Sequence, residues 1–248
     1  ASTEENPQED IILNEYARVF VIKTSLKIAA TMLAPSMIIR LRKIAADYDI
    51  IHIHHPDPMA ALALYLSGYR GKVILHWHSD ILKQKTLLRL YKPLQTWLIN
   101  RANLIVGTTP VYVSQSEFLK NYQHKINYIP IGVLPVQPDD SIVKRIRTQN
   151  IGKTLIFSLG RLVEYKGFEF LIKSAQYLPK TYKIVIGGKG PLKDKLESII
   201  KENNLHDKVE LLGFLSDEEA YGYFAASDLF ILSSIAKTEA FAIVQIEA

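Results

Sequence analysis

Short apolar runs alternate with amphipathic stretches along almost the whole chain, and the alternation lapses once, near the middle. No other feature restricts the fold as much. In the first half, residues 19–22, 49–53, 72–76, 103–107 and 126–129 read as strands, with 49–53 a buried one. Between them, residues 35–46, 58–66, 87–100 and 110–120 read as helices. In the first of these, Met37, Ile38, Leu41 and Ile44 recur at helical spacing after Pro35-Ser36. Periodicity is lost over residues 132–152, where Gly132, Pro135, Pro138, Asp139, Asp140, Asn150 and Gly152 mark a linker. It restarts with strands at 154–159, 182–186, 209–212 and 229–232. Helices fall at 168–177, 192–203 and 217–226, the last with Ser216 at its N-cap, and a final helix opens near Phe241.

Strands that alternate with helices through short loops specify parallel sheets. The expected fold class is therefore α/β, with two parallel-sheet domains. The first covers residues 1–132, a linker covers 133–152, and the second covers 153–248. Ligands of such sheets sit at the carboxyl ends of the strands, so two such domains facing each other would form a cleft there. The chain lacks an initiator Met and stops inside an apolar helical pattern, so both domains are expected to be incomplete.

Composition narrows the class. At 248 residues, 48% hydrophobic and 22% charged, the chain is an ordinary globular one. It has no cysteine, which excludes a disulfide framework and thiolate metal sites and favours an intracellular, cytoplasmic location. No signal peptide and no apolar run of spanning length is present. Residues 1–132 hold 15 Lys and Arg against 10 Asp and Glu, whereas residues 133–248 hold 15 against 15. The net charge of +5 thus belongs to the first half, even though residues 1–10 are acidic and disorder-prone. A basic half suits an anionic membrane surface, a phosphorylated acceptor or nucleic acid, or is simply a solvated face.

The chemistry-bearing residues of the second half lie at strand ends. Strand 154–159 runs into Gly160-Arg161-Leu162, and Lys166-Gly167 opens the next helix. A planar fork and a mobile point charge at one strand end suit a diphosphate; the alternative is a surface basic pair. Strand 182–186 ends in Gly187-Gly188-Lys189-Gly190-Pro191, which permits close approach of a ligand or a tight turn. It is not a Walker loop. Gly213-Phe214-Leu215 follows the next strand, either to hold a base or as a packed turn. Glu239 and Glu247 stand eight positions apart around an apolar stretch. In a helix begun near Phe241 they would be roughly 12 Å apart, with free N–H groups between them for a diphosphate. The spacing alone means little, because Glu202/Glu210 and Glu210/Glu218 share it.

Taken in order, Gly160-Arg161-Leu162 with Lys166-Gly167, Gly188-Lys189-Gly190-Pro191, Gly213-Phe214, Ser227-Asp228, Ser233-Ser234 and the Glu239/Glu247 pair form one pattern. It resembles the C-terminal domain of the retaining GT-B glycosyltransferases of family GT4, a group with many bacterial hexosyl- and mannosyltransferases. The resemblance covers residues 154–248 strongly and about 49–132 less so. It implies two Rossmann-like domains and a nucleotide-diphosphate-sugar donor held by the second. Arg161 and Lys166 match the family's diphosphate pair, Glu239 the contact to sugar hydroxyls, and Glu247 the ribose contact. The backbone at Phe241, Ala242 and Ile243 would face sugar and phosphate, with Gly160, Gly188, Phe214 and Leu215 completing the donor side. Two positions depart from the family. Ala242 stands where Gly is usual, so that its methyl either crowds the sugar or marks a negative φ. Lys189 stands where an acidic or amide residue is common.

In the first half, five of the seven histidines fall in two stretches, His52, His54 and His55, then His76 and His78. Both stretches read as a strand running into a loop. Histidine–aspartate clusters can hold zinc. No acidic or thiol partner completes a ligand set here, so no metal is expected. The alternatives are packed histidines or contacts to substrate. His78-Ser79-Asp80 resembles the family's acceptor-domain motif, which implies that His78 faces the transferred sugar and Asp80 lines the acceptor side. Residues 86–101 are amphipathic and basic, carrying Arg89, Lys92 and Arg101 after Lys83 and Lys85. They read equally as a membrane-surface helix and as a helix covering the sheet.

The expected function is retaining transfer of a hexose from a nucleotide-diphosphate-sugar to a glycan or lipid-linked hydroxyl. It needs neither cofactor nor metal, because fixed cations supply the charge. Peripheral contact with an anionic membrane fits the basic half. Nucleic acid is not expected, since no aromatic–basic platform is present. The competing readings are a nucleotide-sugar epimerase of the same fold and a non-catalytic nucleotide-sugar binding module.

Overall fold

The structure, a computed structural model, describes residues 10–28, 31–81, 85–236, 239 and 242–248. It divides into two compact units, Ala1–Pro130 and Ile131–Ala248. The first unit opens with two antiparallel hairpins, β1 (Asp10–Asn14) with β2 (Ala17–Phe20), and β3 (Leu26–Ile28) with β4 (Thr31–Leu33). Of these four strands, the sequence pattern reaches only the second, because the segments are short and mix charged with apolar residues. The acidic residues 1–9 lie outside the described residues.

Helix α1 (Ser36–Ile44) and helix α2 (Pro58–Ser67) then flank strand β5 (Ile50–His55). Strands β6 (Lys72–Trp77), β7 (Leu104–Gly107) and β8 (Ile126–Tyr128) follow, with α3 (Lys85–Arg101) and α4 (Pro110–Gln115) between them. These four strands form one parallel sheet in sequential order. Asp57 caps α2 by accepting the Met59 and Ala60 N–H groups, and Gly68 ends the helix in the left-handed conformation. The core gathers Ile53, Leu64, Val73, Leu75, Trp77, Leu98 and Ile105. Strand β5 is not buried on both faces as its sequence suggests. Ile53 and His55 point into the core, while Ile50, His52 and His54 are exposed. A strand's side chains alternate between faces, so this register places the histidines 52 and 54 together on the outer one. Helix α3 covers the sheet: Tyr91, Gln95, Leu98 and Ile99 are buried, whereas Leu90 is 77% exposed. Helix α4 ends five residues before the sequence pattern suggests, because Ser116 turns extended.

The second unit begins with α5 (Asp140–Gln149). This corrects the reading of 133–152 as linker throughout. Asp139 caps the helix, and Ile142, Val143 and Ile146 form its apolar stripe, with Ile146 fully buried. One short stripe among turn residues does not stand out as periodic. Burying a side chain such as Ile146 contributes about 1.5–3 kcal/mol towards holding the helix on the sheet.

Strands β9 (Thr154–Leu159), β10 (Tyr182–Gly187), β11 (Val209–Gly213) and β12 (Leu229–Phe230) make a parallel sheet in the order β11-β10-β9-β12. Ile156, Ile184 and Ile186 meet α6 (Phe168–Ser174) and α7 (Lys193–Glu202) on one face. On the other face, Leu155, Phe157 and Val185 meet α5 and α8 (Asp217–Ala226). Ser216 caps α8 by accepting the Glu219 N–H. The last helix, α9, is only Val244–Glu247. It does not start near Phe241, which lies outside the described residues. Ala242 takes φ 56°, a conformation that no right-handed helix contains, so the helix begins after it. The fold class is α/β, as the alternation implies.

Candidate functional site

The carboxyl ends of the second sheet are stitched together by backbone. The Gly160 N–H donates to the Gly187 carbonyl at 3.0 Å, and the Gly188 N–H donates to the Gly213 carbonyl at 2.6 Å. The Leu162 N–H reaches the Lys189 carbonyl at 3.0 Å. Gly188 has φ 135°, and a Cβ there would lie 1.9 Å from the Gly160 oxygen. Only glycine fits this position. Its use is to let two loops touch, which brings the end of β10 onto the end of β9.

Lys166 closes the turn after β9, and it is buried, at 8% exposure. Its stem lies along Gly160, where an added Cβ would sit 3.4 Å from Lys166 Cε. Its Nζ meets Glu239 Oε2 at 2.5 Å, and Ser234 Oγ donates to the same oxygen at 2.9 Å. Ser233 Oγ donates to the Lys166 carbonyl at 2.7 Å, and the Ile235 N–H donates to the Tyr165 carbonyl at 2.8 Å. The segment leaving β12 is thus laced to the turn that carries Lys166. Of the residues singled out by sequence, Gly160, Lys166 and Glu239 converge, with Gly188 beside them. Arg161 is exposed next to this cluster, and among the described residues it forms no ion pair. Ser233 and Ser234 enter the sequence reading only as part of a motif order. A serine pair directly after a strand end is the signal that points to them.

The remaining donor-side positions fare unevenly. Phe214 is 68% exposed, and Lys189 Nζ sits 5.0 Å above its ring, a cation–π contact. Leu215 instead packs against the core, touching the space beside Gly187. Phe241 lies outside the described residues. Ala242 has a positive φ, so the reading that its methyl marks a negative φ is incorrect. Ile243 is exposed and precedes α9, at whose end Glu247 stands half-buried. Because α9 is one turn long, no eight-residue helical span separates Glu239 from Glu247. The rise-based figure of about 12 Å therefore loses its premise.

In the first unit, His54 and His76 are cross-strand partners in the β5–β6 register, and His52 and His78 extend the row on the same face. His54 Nδ1 lies 2.7 Å from His78 Nε2. The rings stack, with centroids 4.2 Å apart for His76 and His78 and 4.8 Å apart for His52 and His54. Burial, and then the neighbouring His78, His54 and His52, lower the His76 pKa to about 4. His78 is lowered by burial and by His54 and His52. His55 points the other way, stacks 3.7 Å from Trp77, and is lowered to about 3 by burial.

Asp80 is already engaged. Its Oδ1 accepts from Trp77 Nε1 and from Ser116 Oγ, both at 2.8 Å, and its N–H donates to the Tyr112 hydroxyl at 2.8 Å. Asp80 therefore braces the loop that carries His78. Sequence reasoning did not reach Tyr112, in α4, or Ser116, just past its end, both more than thirty residues away.

Two family models match the chain, "Glycosyltransferase Family 4" over residues 3–135 and "Glycosyl transferases group 1" over residues 140–248. The chain belongs to glycosyltransferase family 4. It is 33% identical to the O-antigen chain mannosyltransferase C of Escherichia coli, over 93% of this chain and 62% of that protein. Identity is 43% to the N-acetylgalactosamine-N,N'-diacetylbacillosaminyl-diphospho-undecaprenol 4-alpha-N-acetylgalactosaminyltransferase of Campylobacter jejuni, over 78% of this chain and 53% of that one. Among solved structures, HepE of Anabaena in complex with UDP and glucose superposes with TM-score 0.67 at 23% identity, covering 87% of this chain and 60% of that one. The shared fold is α/β GT-B. The chain spans between half and two-thirds of the length of these proteins.

Proposed function

We propose that the protein to which this chain belongs transfers a hexose, with retention, from a nucleotide-diphosphate-sugar to a hydroxyl of a glycan or lipid-linked acceptor. The observation that carries this reading is the convergence of Lys166, Glu239 and Ser234 at the carboxyl ends of β9 and β12, beside Arg161. The family relatives named as a mannosyltransferase and as an N-acetylgalactosaminyltransferase of a diphospho-undecaprenol substrate support the reaction type and the acceptor class.

In this mechanism the sugar–phosphate bond loosens into an oxocarbenium-like state. Arg161 and Lys166 stabilise the departing diphosphate, and Glu239 holds the sugar hydroxyls. The acceptor hydroxyl attacks on the face the phosphate leaves, and the phosphate takes its proton. With Arg161 and Lys166 supplying the positive charge in this reading, the chemistry needs no divalent ion there. One turn of helix at α9 adds little to this charge, so the side chains carry it. In this reading His78, hydrogen-bonded to His54, takes the acceptor-side role. The reaction belongs in the cytoplasm. A peripheral seat on an anionic membrane would use the basic first half, and no helix among the described residues is long and apolar enough to cross a membrane.

The test is turnover and donor binding of the full-length protein against a panel of nucleotide-sugars. Arg161→Ala is the informative variant, because the side chain is exposed. A loss of transfer by two orders of magnitude or more in a folded protein supports the assignment, and near-normal transfer in both Arg161→Ala and Lys166→Ala overturns it.

A further inference from the structure

Of the histidines on the outer face of the first sheet, sugar transfer uses only His78 and leaves His52, His54 and His76 without a role. His52 and His54 are two apart on β5, so their side chains leave the same face. In the parallel register His76 stands directly across from His54. One ring nitrogen from each of His52, His54 and His76 lies within 4.8 Å of the other two. Both ring nitrogens of His76 are buried, and neither has a hydrogen-bond partner. Ring nitrogens that are buried and unpartnered, on an imidazole stacked against two others, are costly unless something satisfies them.

We propose that His52, His54 and His76 form a three-imidazole site for a zinc-class divalent transition metal. A tetrahedral ion with bonds of about 2.0–2.1 Å places its nitrogens roughly 3.4 Å apart. The three rings stack nearly parallel, at 14–28° to one another, so the two exposed ones, His52 and His54, must turn out of the stack to new side-chain rotamers before their nitrogens converge on the ion. The donors are all nitrogen, which selects Zn²⁺, Cu²⁺, Ni²⁺ or Co²⁺ and disfavours Mg²⁺ and Ca²⁺, whose ligands are oxygen. His78 supplies the outer contact. With His54 bound to the ion through Nε2, its Nδ1–H donates to His78 Nε2, the arrangement by which metal-ligating histidines are oriented. The sequence offers no acid or thiol for such a site, and the structure supplies a third imidazole across the sheet instead. This inference stands on the sheet register and does not depend on the proposed sugar transfer.

The experiment is a titration of Co²⁺ into full-length, tag-free protein after chelator treatment and dialysis, followed by competition with Zn²⁺. Expected are one equivalent of Co²⁺, visible absorption of low-symmetry cobalt–nitrogen ligation, displacement by Zn²⁺ and no response to Mg²⁺. His52→Ala, at an exposed position, should weaken binding by about tenfold or more, and so should His76→Ala. His206→Ala, in the second unit, should leave binding unchanged. The idea fails if the protein binds no Co²⁺ or Zn²⁺ at micromolar concentration. It fails equally if a correctly melting His52→Ala variant binds as the parent does, or if His206→Ala removes the signal. His52→Ala keeps the test decisive should His76→Ala fail to fold.

Discussion

Lys166 and Glu239 are ion-paired at 2.5 Å although 73 positions separate them in sequence, and both side chains are largely buried. The residues proposed to hold phosphate and sugar therefore hold each other. Breaking one partner of a buried pair typically costs about 3–5 kcal/mol, less here because neither group is wholly dry. Glu239→Gln and Lys166→Met should each lower the melting temperature. The double variant should lose less than the sum, because it leaves no uncompensated charge. Transfer should be lost in all three. Calorimetry together with a transfer assay checks this, and additive stability losses would show that the pair is not coupled.

Arg161 lies beside that pair yet is exposed. Surface substitutions away from such contacts usually change stability by within about 0.5 kcal/mol. Arg161→Ala should thus melt as the parent does while losing about 10²–10³-fold in kcat, the usual cost of removing one preorganised charge stabiliser. Unchanged kcat with a lower melting temperature would assign Arg161 to the fold instead.

If two fixed cations neutralise the diphosphate, donor binding should be indifferent to Mg²⁺. Isothermal titration of UDP or GDP with and without millimolar Mg²⁺ should give dissociation constants equal within about twofold for the parent. A strong Mg²⁺ requirement would mean that Arg161 and Lys166 do not suffice.

The parts of this molecule that were legible in the sequence are those governed by local periodicity. Strand β9 begins and ends where the alternation says, and Ser216 caps α8 as its position suggests. What was not legible depends on distant residues. Ile142 and Ile146 form a helix stripe that matters only because α8 and the sheet lie under it. The Glu239 carboxylate meets Lys166 and Ser234 through a loop that carries no period. The Asp80 carboxylate is taken by Ser116, which reads as an ordinary helix residue. The apparent Glu239-to-Glu247 helix failed for a single backbone reason, the positive φ at Ala242.

That reason makes a prediction. A left-handed alanine costs about 1–2 kcal/mol, which glycine does not incur. Ala242→Gly should therefore stabilise the protein or leave it neutral, where a Gly replacement usually destabilises. Gly188→Ala should act the other way. Its Cβ would meet the Gly160 carbonyl at 1.9 Å, so the two loops must part, and both stability and donor binding should fall. Paired melting curves decide it, and a destabilising Ala242→Gly would contradict the observed backbone.

Asp228 provides the pH test. Its carboxylate accepts the Leu155 N–H at 2.7 Å and pairs with Arg147 at 3.0 Å, tying β12 to β9 and α5. The Leu155 hydrogen bond, and then Arg147, hold its pKa below the ordinary value of 3.8. A carboxyl group with a lowered folded pKa contributes stability above its unfolded pKa and loses it as pH falls through the folded one. At pH 7, Asp228→Asn should cost about 1 kcal/mol, modest because the side chain is partly exposed. Below pH 3.8 the parent should weaken towards the variant, and their melting curves should converge. A difference that persists unchanged at low pH would show that the carboxylate charge is not what holds β12 in place.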